Sequence, residues 1–140
     1  MKKILVAIDF SRTDGNELCI KTAQDIAGIM GAELVFLHVM EPVPGYIVGE
    51  IPAWVLSKRG TDANEELSKL AAQYGSPETV IRDGAPATEI LEYASEINAS
   101  LIVLHSHDPD LSDYFLGSVA SRVVRHAHCS VHVVRHAADG

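Results

Sequence analysis

The chain has 140 residues, a formal net charge of −8, and 47% hydrophobic and 21% charged residues. This length fits one domain spanning residues 1–140, and a chain of this size buries roughly 70% of its unfolded surface, so the core needs no disulfides. The negative charge excludes nonspecific attraction to DNA, RNA or anionic lipid. A small anion could still be held by local N–H groups.

Five short apolar runs predict the strands. Residues 4–8, 34–39 and 101–104 are nearly continuous in Ile, Val and Leu, which is typical of strands covered on both faces. Residues 131–134 form the last run, and the run at 78–81 is weaker and more polar, so it is predicted at a sheet edge. No run approaches the roughly 20 apolar residues of a membrane helix. We therefore expect a cytoplasmic protein.

Helical periodicity separates these runs, at 17–30, 62–74, 86–97 and 118–126. Pro86 fits the first position of the third helix. Strands that alternate with helices predict a single-domain α/β fold, with a parallel sheet covered by helices on both faces.

The segment 41–60 does not fit this alternation. It is rich in proline and glycine, with apolar residues such as Trp54 interspersed. We predict a long connection here, because long ordered loops in compact domains are often functional. It could act as a lid or partner surface, or it could pack over the sheet edge.

The polar residues that follow the first and fourth runs indicate a ligand cleft. In open α/β sheets, ligands bind beyond the carboxyl ends of the strands, where the winding of the chain reverses. The first run ends at Asp9, and the fourth ends in His105, Ser106 and His107. A Gly-Ser pair then opens the last helix, whose N–H groups can hold a phosphate.

Several segments of the chain resemble the universal stress protein family. They are residues 4–11, His38-Val39, Gly84 and the tail 117–131. The resemblance covers almost the whole chain and implies a doubly wound, five-stranded parallel sheet with strand order 3-2-1-4-5. It also implies a homodimer formed through the last strand, at Val131, His132, Val133 and Val134.

The glycine pattern of the ATP-binding branch of this family is incomplete. The pattern typical of that branch is Gly-x-x-Gly, followed after nine residues by Gly-Ser or Gly-Thr. Here Gly117-Ser118 is intact, but His105 and Asp108 stand at the glycine positions and the loop is one residue shorter. The loop is instead similar to that of the small bacterial F and G types, which implies that adenine nucleotide binding is retained. His105 could crowd a phosphate or ribose, or hydrogen-bond to it.

Roles carried over by position come with structural alternatives. Asp9 would accept a hydrogen bond from the ribose or the adenine edge, or it would N-cap the first helix. The Val39 backbone would read the adenine edge, or it would make ordinary ladder bonds. Gly117, Ser118 and the N–H of Val119 would hold phosphates, or Ser118 would be a plain N-cap. The predicted binding residues are Ala7, Ile8, Asp9, His38, Val39, Leu104, His105, Ser106, His107, Gly117, Ser118 and Val119.

The remaining histidines and the cysteines do not suggest a metal or redox site. His126 and His128 should lie at the opposite sheet edge from His105, so they could not share a transition metal with it. A Mg²⁺ ion that bridges phosphates to Asp9 fits its preference for oxygen ligands better. The two cysteines follow no metal spacing and are predicted to be reduced thiols, with a redox role as the alternative.

The sequence favours binding over catalysis. It contains neither a Gly-x-Ser-x-Gly turn nor a Walker lysine pattern. We predict a stress-response protein that binds ATP or ADP and acts as a regulatory or sensing dimer, with at most slow hydrolysis or autophosphorylation. The alternative is a nucleotide-free dimer that acts as an interaction module.

Overall fold

A computed structural model describes residues 1–11, 13–106 and 116–135. Among the described helices, none combines the length and apolar character needed to cross a membrane. In chain order the elements are β1 (Lys2–Ala7), α1 (Thr13–Met30), β2 (Ala32–Met40), α2 (Gly45–Val48), α3 (Ala53–Ala72), β3 (Glu78–Asp83), α4 (Pro86–Glu96), β4 (Leu101–His105), α5 (Ser118–His126) and β5 (Ser130–Val134).

The five strands form one parallel sheet in the order β3-β2-β1-β4-β5. This confirms the doubly wound topology, and it confirms that the third strand lies at an edge. The chain winds outward from β1 through β2 to β3, then crosses back to β4 on the other side of β1. The winding therefore reverses between β1 and β4, and a crevice opens there at the carboxyl ends of the strands.

Alternate residues of each strand face opposite layers of helices. Ile4 and Val6 pack with residues of α1 and α3 in one core cluster. Leu5, between them, packs with residues of α4 and α5 in the other. Because both faces of β1 are covered, the run at 4–8 contains no polar alternation, as the sequence indicated.

The prediction of a long loop at 41–60 was wrong for most of that segment. Residues 45–48 form the short helix α2, and α3 begins at Ala53 rather than at 62. Pro44 and Pro52 are the N-cap residues of these helices, with φ angles of −53° and −57°. Proline has a fixed φ and lacks an N–H, so it begins helices as readily as it marks loops.

The first half of α3 gave no helical signal because it contains no fully buried residue. The buried residues of this helix are Ala63, Leu67 and Ala71, all in its second half. Trp54, in its first turn, is 68% exposed. Helix α1 likewise begins at 13 rather than 17, since its first turn carries polar residues.

Substitutions in the two halves of α3 should differ sharply in how much they lower the free energy of unfolding. Leu67 is 1% exposed, so Leu67→Ala should lower the free energy of unfolding by about 2–5 kcal/mol. Leu56→Ala, in the half without buried residues, should cost less than about 1 kcal/mol. Urea unfolding of both variants measures the difference, and equal losses would contradict this packing of α3.

Candidate functional site

A cleft of about 380 Å³ lies at the carboxyl ends of β1, β2 and β4, where the N-terminus of α5 faces the sheet. All the predicted binding residues line it except Ser106 and His107. Ser106 is buried just beyond β4, where its carbonyl accepts a hydrogen bond from the Gly117 N–H at 2.9 Å. His107 lies outside the described residues. Further lining residues are Asn16, Leu37, Glu41, Pro86, Ile90 and Ala120.

Ile8, the residue after β1, makes two hydrogen bonds to β2. Its N–H donates to the Leu37 carbonyl at 2.8 Å. Its carbonyl accepts a hydrogen bond from the His38 Nδ1 at 2.9 Å. Because a carbonyl can only accept, the Nδ1 of His38 carries the hydrogen. The imidazole also packs against the Phe10 ring, with ring centroids 4.1 Å apart.

Asn16 is a site residue that the sequence analysis missed. Its side chain is buried, its Oδ1 accepts the Asp9 N–H at 3.0 Å, and its Nδ2 donates to the Asp9 carbonyl at 2.8 Å. One side-chain amide thus satisfies both peptide groups of Asp9. The signal was present in the sequence, since Asn16 continues the buried stripe of Ile20, Ala23 and Ala27 at helical spacing. A polar residue on such a stripe needs a partner.

The carboxylate of Asp9 orders the turn before α1. Its Oδ1 accepts hydrogen bonds from the Ser11 N–H at 3.0 Å and the Ser11 hydroxyl at 2.7 Å. The alternative in which Asp9 N-caps the first helix is wrong, because α1 begins only at Thr13. The described hydrogen bonds of the carboxylate all fall on Oδ1, so Oδ2 keeps its lone pairs for a ligand donor.

The N-terminus of α5 carries no side-chain cap in the described part of the chain. The N-cap residue is the buried Gly117, with φ −62° and ψ 161°, and Ser118 is the first helical residue. The alternative in which Ser118 caps the helix is therefore wrong. The first-turn N–H groups, with the positive end of the helix dipole, face the cleft with no side-chain partner among the described residues.

His105 is accommodated by a glycine on the neighbouring helix. A Cβ atom at Gly15 would lie 3.0 Å from Cγ and 3.1 Å from Cδ2 of the His105 ring. The ring therefore packs against the backbone of α1, on the opposite face of the sheet from α5. His105 forms part of the cleft wall, and the cleft keeps its volume of about 380 Å³ beside it.

The other predicted histidine pair lies at the far end of β4. His126 and His128 line a separate cavity of about 510 Å³ with Asn98 and Ile102, near the start of that strand. His105 closes the strand at its carboxyl end. Within residues 1–11, 13–106 and 116–135, no group of three or more His, Cys, Asp or Glu side chains could hold a metal ion.

Both cysteines are free thiols. Burial in the α1 layer raises the pKa of Cys19 to about 12. Burial also raises the pKa of Cys129, which is less deeply enclosed. A thiol with a raised pKa is a poor nucleophile at neutral pH, which supports the interpretation of both cysteines as structural.

Comparison with known proteins agrees with this architecture. The family model described as "Universal stress protein family" matches residues 1–135. The chain belongs to the universal stress protein family. Among curated members, it is 35% identical to universal stress protein YxiE of Bacillus subtilis, over 95% of this chain and 98% of that protein. Universal stress protein G of Escherichia coli O157:H7 also matches, at 26% identity over 96% of this chain and 99% of its own length, in line with the resemblance to the G type.

Solved structures of relatives share the fold of this universal stress protein. Hypothetical protein MJ0577 superimposes with a TM-score of 0.81, at 25% identity, over 98% of this chain and 97% of its own. A universal stress protein in complex with cAMP superimposes with a TM-score of 0.62, also at 25% identity, over 95% of both chains.

Two glycines of α1 provide a test of the His105 packing. Gly15→Ala should destabilise the protein by about 1–3 kcal/mol, because the new methyl group meets the imidazole. Gly28→Ala, which meets nothing within 4 Å, should be neutral or stabilise by about 0.5–1 kcal/mol. Adding His105→Gly should remove most of the Gly15→Ala penalty in a double-mutant cycle of thermal unfolding. Additive effects would show that the two residues do not touch.

Proposed function

We propose that this universal stress protein binds an adenine nucleotide, ATP or ADP, in the cleft between β1 and β4. It acts as a cytoplasmic regulatory or sensing dimer rather than as a fast enzyme. The observation that carries the proposal is the N-terminus of α5 at the glycine N-cap Gly117, which lines the same cleft as Asp9 and the end of β2. N–H donors for a phosphate, a carboxylate acceptor for ribose hydroxyls and the end of β2 for the base thus line one cavity.

The base would lie against Val39. The Leu37 carbonyl points toward β1, because it accepts the Ile8 N–H, and the Met40 carbonyl points toward β3, because it accepts the Gly84 N–H. Peptide groups alternate along a strand, so those of Val39 point to the same side as those of Leu37. At that level β1 has already ended, and the Val39 groups face the cleft.

The sugar and phosphates would lie between Asp9 and α5. The carboxylate of Asp9 can accept hydrogen bonds from ribose hydroxyls. The buried Gly117 lets a phosphate approach the backbone closely, and Ser118 adds a hydroxyl donor next to the N–H of Val119. A Mg²⁺ ion would bridge the phosphates to Asp9 through oxygen ligands.

Two further observations support the proposal, the first for slow turnover and the second for the adenine base. The described lining of the cleft includes no lysine or arginine that could neutralise charge developing on a transferred phosphoryl group. The related universal stress protein in complex with cAMP carries a nucleotide of the same base. The alternative, a nucleotide-free interaction module, is favoured by His105 and Asp108 at the glycine positions.

The dimer would form through β5. Among the described residues this strand pairs only with β4, so its other edge offers peptide groups for pairing with a second chain. Val131 and Val133 are half-buried and His132 is exposed. An antiparallel copy of β5 would satisfy the edge and cover these valines.

Gly117→Val tests the phosphate site. The branched side chain would stand where a phosphate approaches the backbone, so ATP affinity should fall tenfold or more, which corresponds to about 1.4 kcal/mol. Gly45→Val, at the first residue of α2 with open space around it, should leave the affinity unchanged. Isothermal titration calorimetry with ATP and Mg²⁺ measures both.

The outcome separates the two functional candidates. Unchanged affinity in Gly117→Val would contradict the phosphate assignment. Wild-type protein that binds neither ATP nor ADP at millimolar concentration would favour the nucleotide-free interaction module.

His132→Asp tests the dimer interface. A carboxylate on each copy of the edge strand would place like charges across the pair, so the variant should sediment as a monomer where the wild type sediments as a dimer. His128→Asp, also exposed but outside β5, should stay dimeric. If analytical ultracentrifugation finds the same mass for both variants, the interface lies elsewhere.

A further inference from the structure

The pairing of β1 with β2 stops before β2 ends. The register closes at Ala7 opposite Leu37, although β2 continues to Met40 and stays paired with β3 to its last residue. One more step of a parallel ladder would bring the Val39 N–H to the Ile8 carbonyl. That step is absent from the described pairing.

The side chain of His38 takes the acceptor that this step would use. Its Nδ1 lies 2.9 Å from the Ile8 carbonyl, and its ring is held against Phe10. Ile8 itself is buried at 4% exposure, so its carbonyl needs a partner. The imidazole supplies that partner from the residue directly before Val39, and the peptide groups of Val39 stay turned to the cleft.

We propose that His38 is a positioning residue for base selection. By ending the β1–β2 ladder, it presents the N–H and C=O of Val39 as a donor–acceptor pair that selects a 6-amino purine over a 6-oxo purine. This inference rests on the proposed nucleotide site. Adenine offers a ring-nitrogen acceptor beside its 6-amino donor and so matches the pair, whereas the 6-oxo group of hypoxanthine or guanine is an acceptor beside a ring N–H.

Base selectivity in His38 variants tests this role. Wild-type protein should bind ATP tenfold or more tightly than ITP, since two reversed hydrogen bonds leave peptide groups unsatisfied. In His38→Ala the Ile8 carbonyl can accept the Val39 N–H, which is then no longer presented to the base. ATP affinity should therefore fall while ITP affinity changes little. The ratio of the two dissociation constants should then drop to within about threefold.

A conservative variant separates positioning from general damage. The Nδ2 of asparagine can donate to the Ile8 carbonyl much as the imidazole Nδ1 does, so His38→Asn should restore selectivity for ATP to tenfold or more. His128→Ala, at an exposed histidine outside β5 and outside the cleft, is the matched control and should keep the wild-type ratio. Equal loss of ATP and ITP binding in His38→Ala, or an unchanged ratio, would overturn the proposal.

Hydrogen exchange provides a test that needs no variant. In nucleotide-free wild-type protein, the Val39 amide should exchange at least tenfold faster than the Leu37 amide, and ATP should slow it. A Val39 amide as protected as that of Leu37 without nucleotide would overturn the inference. If the Val39 amide exchanges fast and no nucleotide slows it, the β1–β2 pairing does end before Val39, but the proposed nucleotide site is contradicted.

Discussion

The cleft depends on the point at which β1 stops pairing with its neighbours. Two side chains set this point: the imidazole of His38 takes the Ile8 carbonyl, and the amide of Asn16 takes both peptide groups of Asp9. Without these partners, the same peptide groups would be available to extend the ladders toward β2 and β4. Since both flanking strands continue past Ala7, the sheet opens where the central strand ends.

The doubly wound topology gives this opening its chemical character. Because the winding reverses beside β1, the chain after β4 returns to the sheet through α5, whose N-terminus faces the cleft. With Gly117 as N-cap, no side chain in the described ranges caps the first-turn N–H groups, and the helix dipole gives that wall a partial positive charge. The carboxylate of Asp9 stands in the same cleft, which can thus contact donors and acceptors of one extended ligand.

A compensating pair explains how the cleft accommodates an unusual residue. The resemblance to the glycine-rich branch made His105 a candidate obstruction. The structure turns the imidazole onto α1, where the missing side chain of Gly15 leaves room for it. A bulky residue at the end of β4 is therefore compatible with an open cavity, because the space that its ring needs is provided by a glycine on α1.

Sequence patterns predicted the elements that bury apolar residues and missed those that do not. The strands and α5 were predicted nearly to their ends, since buried Ile, Val and Leu or helical spacing marks them directly. The first half of α3 was missed because it buries no residue, and Pro52 looked like part of a loop. The residues of the cleft were predicted from the expected topology and the family resemblance together. Neither of these points to Asn16, whose signal is a polar side chain on the buried stripe of α1 and whose partner is a backbone seven residues earlier.

The most direct test of the nucleotide cleft is an amide chemical-shift titration. ¹⁵N-labelled protein would be titrated with ATP and Mg²⁺ and followed by NMR. Binding in this cleft should produce the largest shifts at the amides of Asp9, Val39, Gly117, Ser118 and Val119. No shifts at saturating nucleotide, or shifts confined to the cavity around Asn98 and Cys129 at the opposite edge of the sheet, would contradict it.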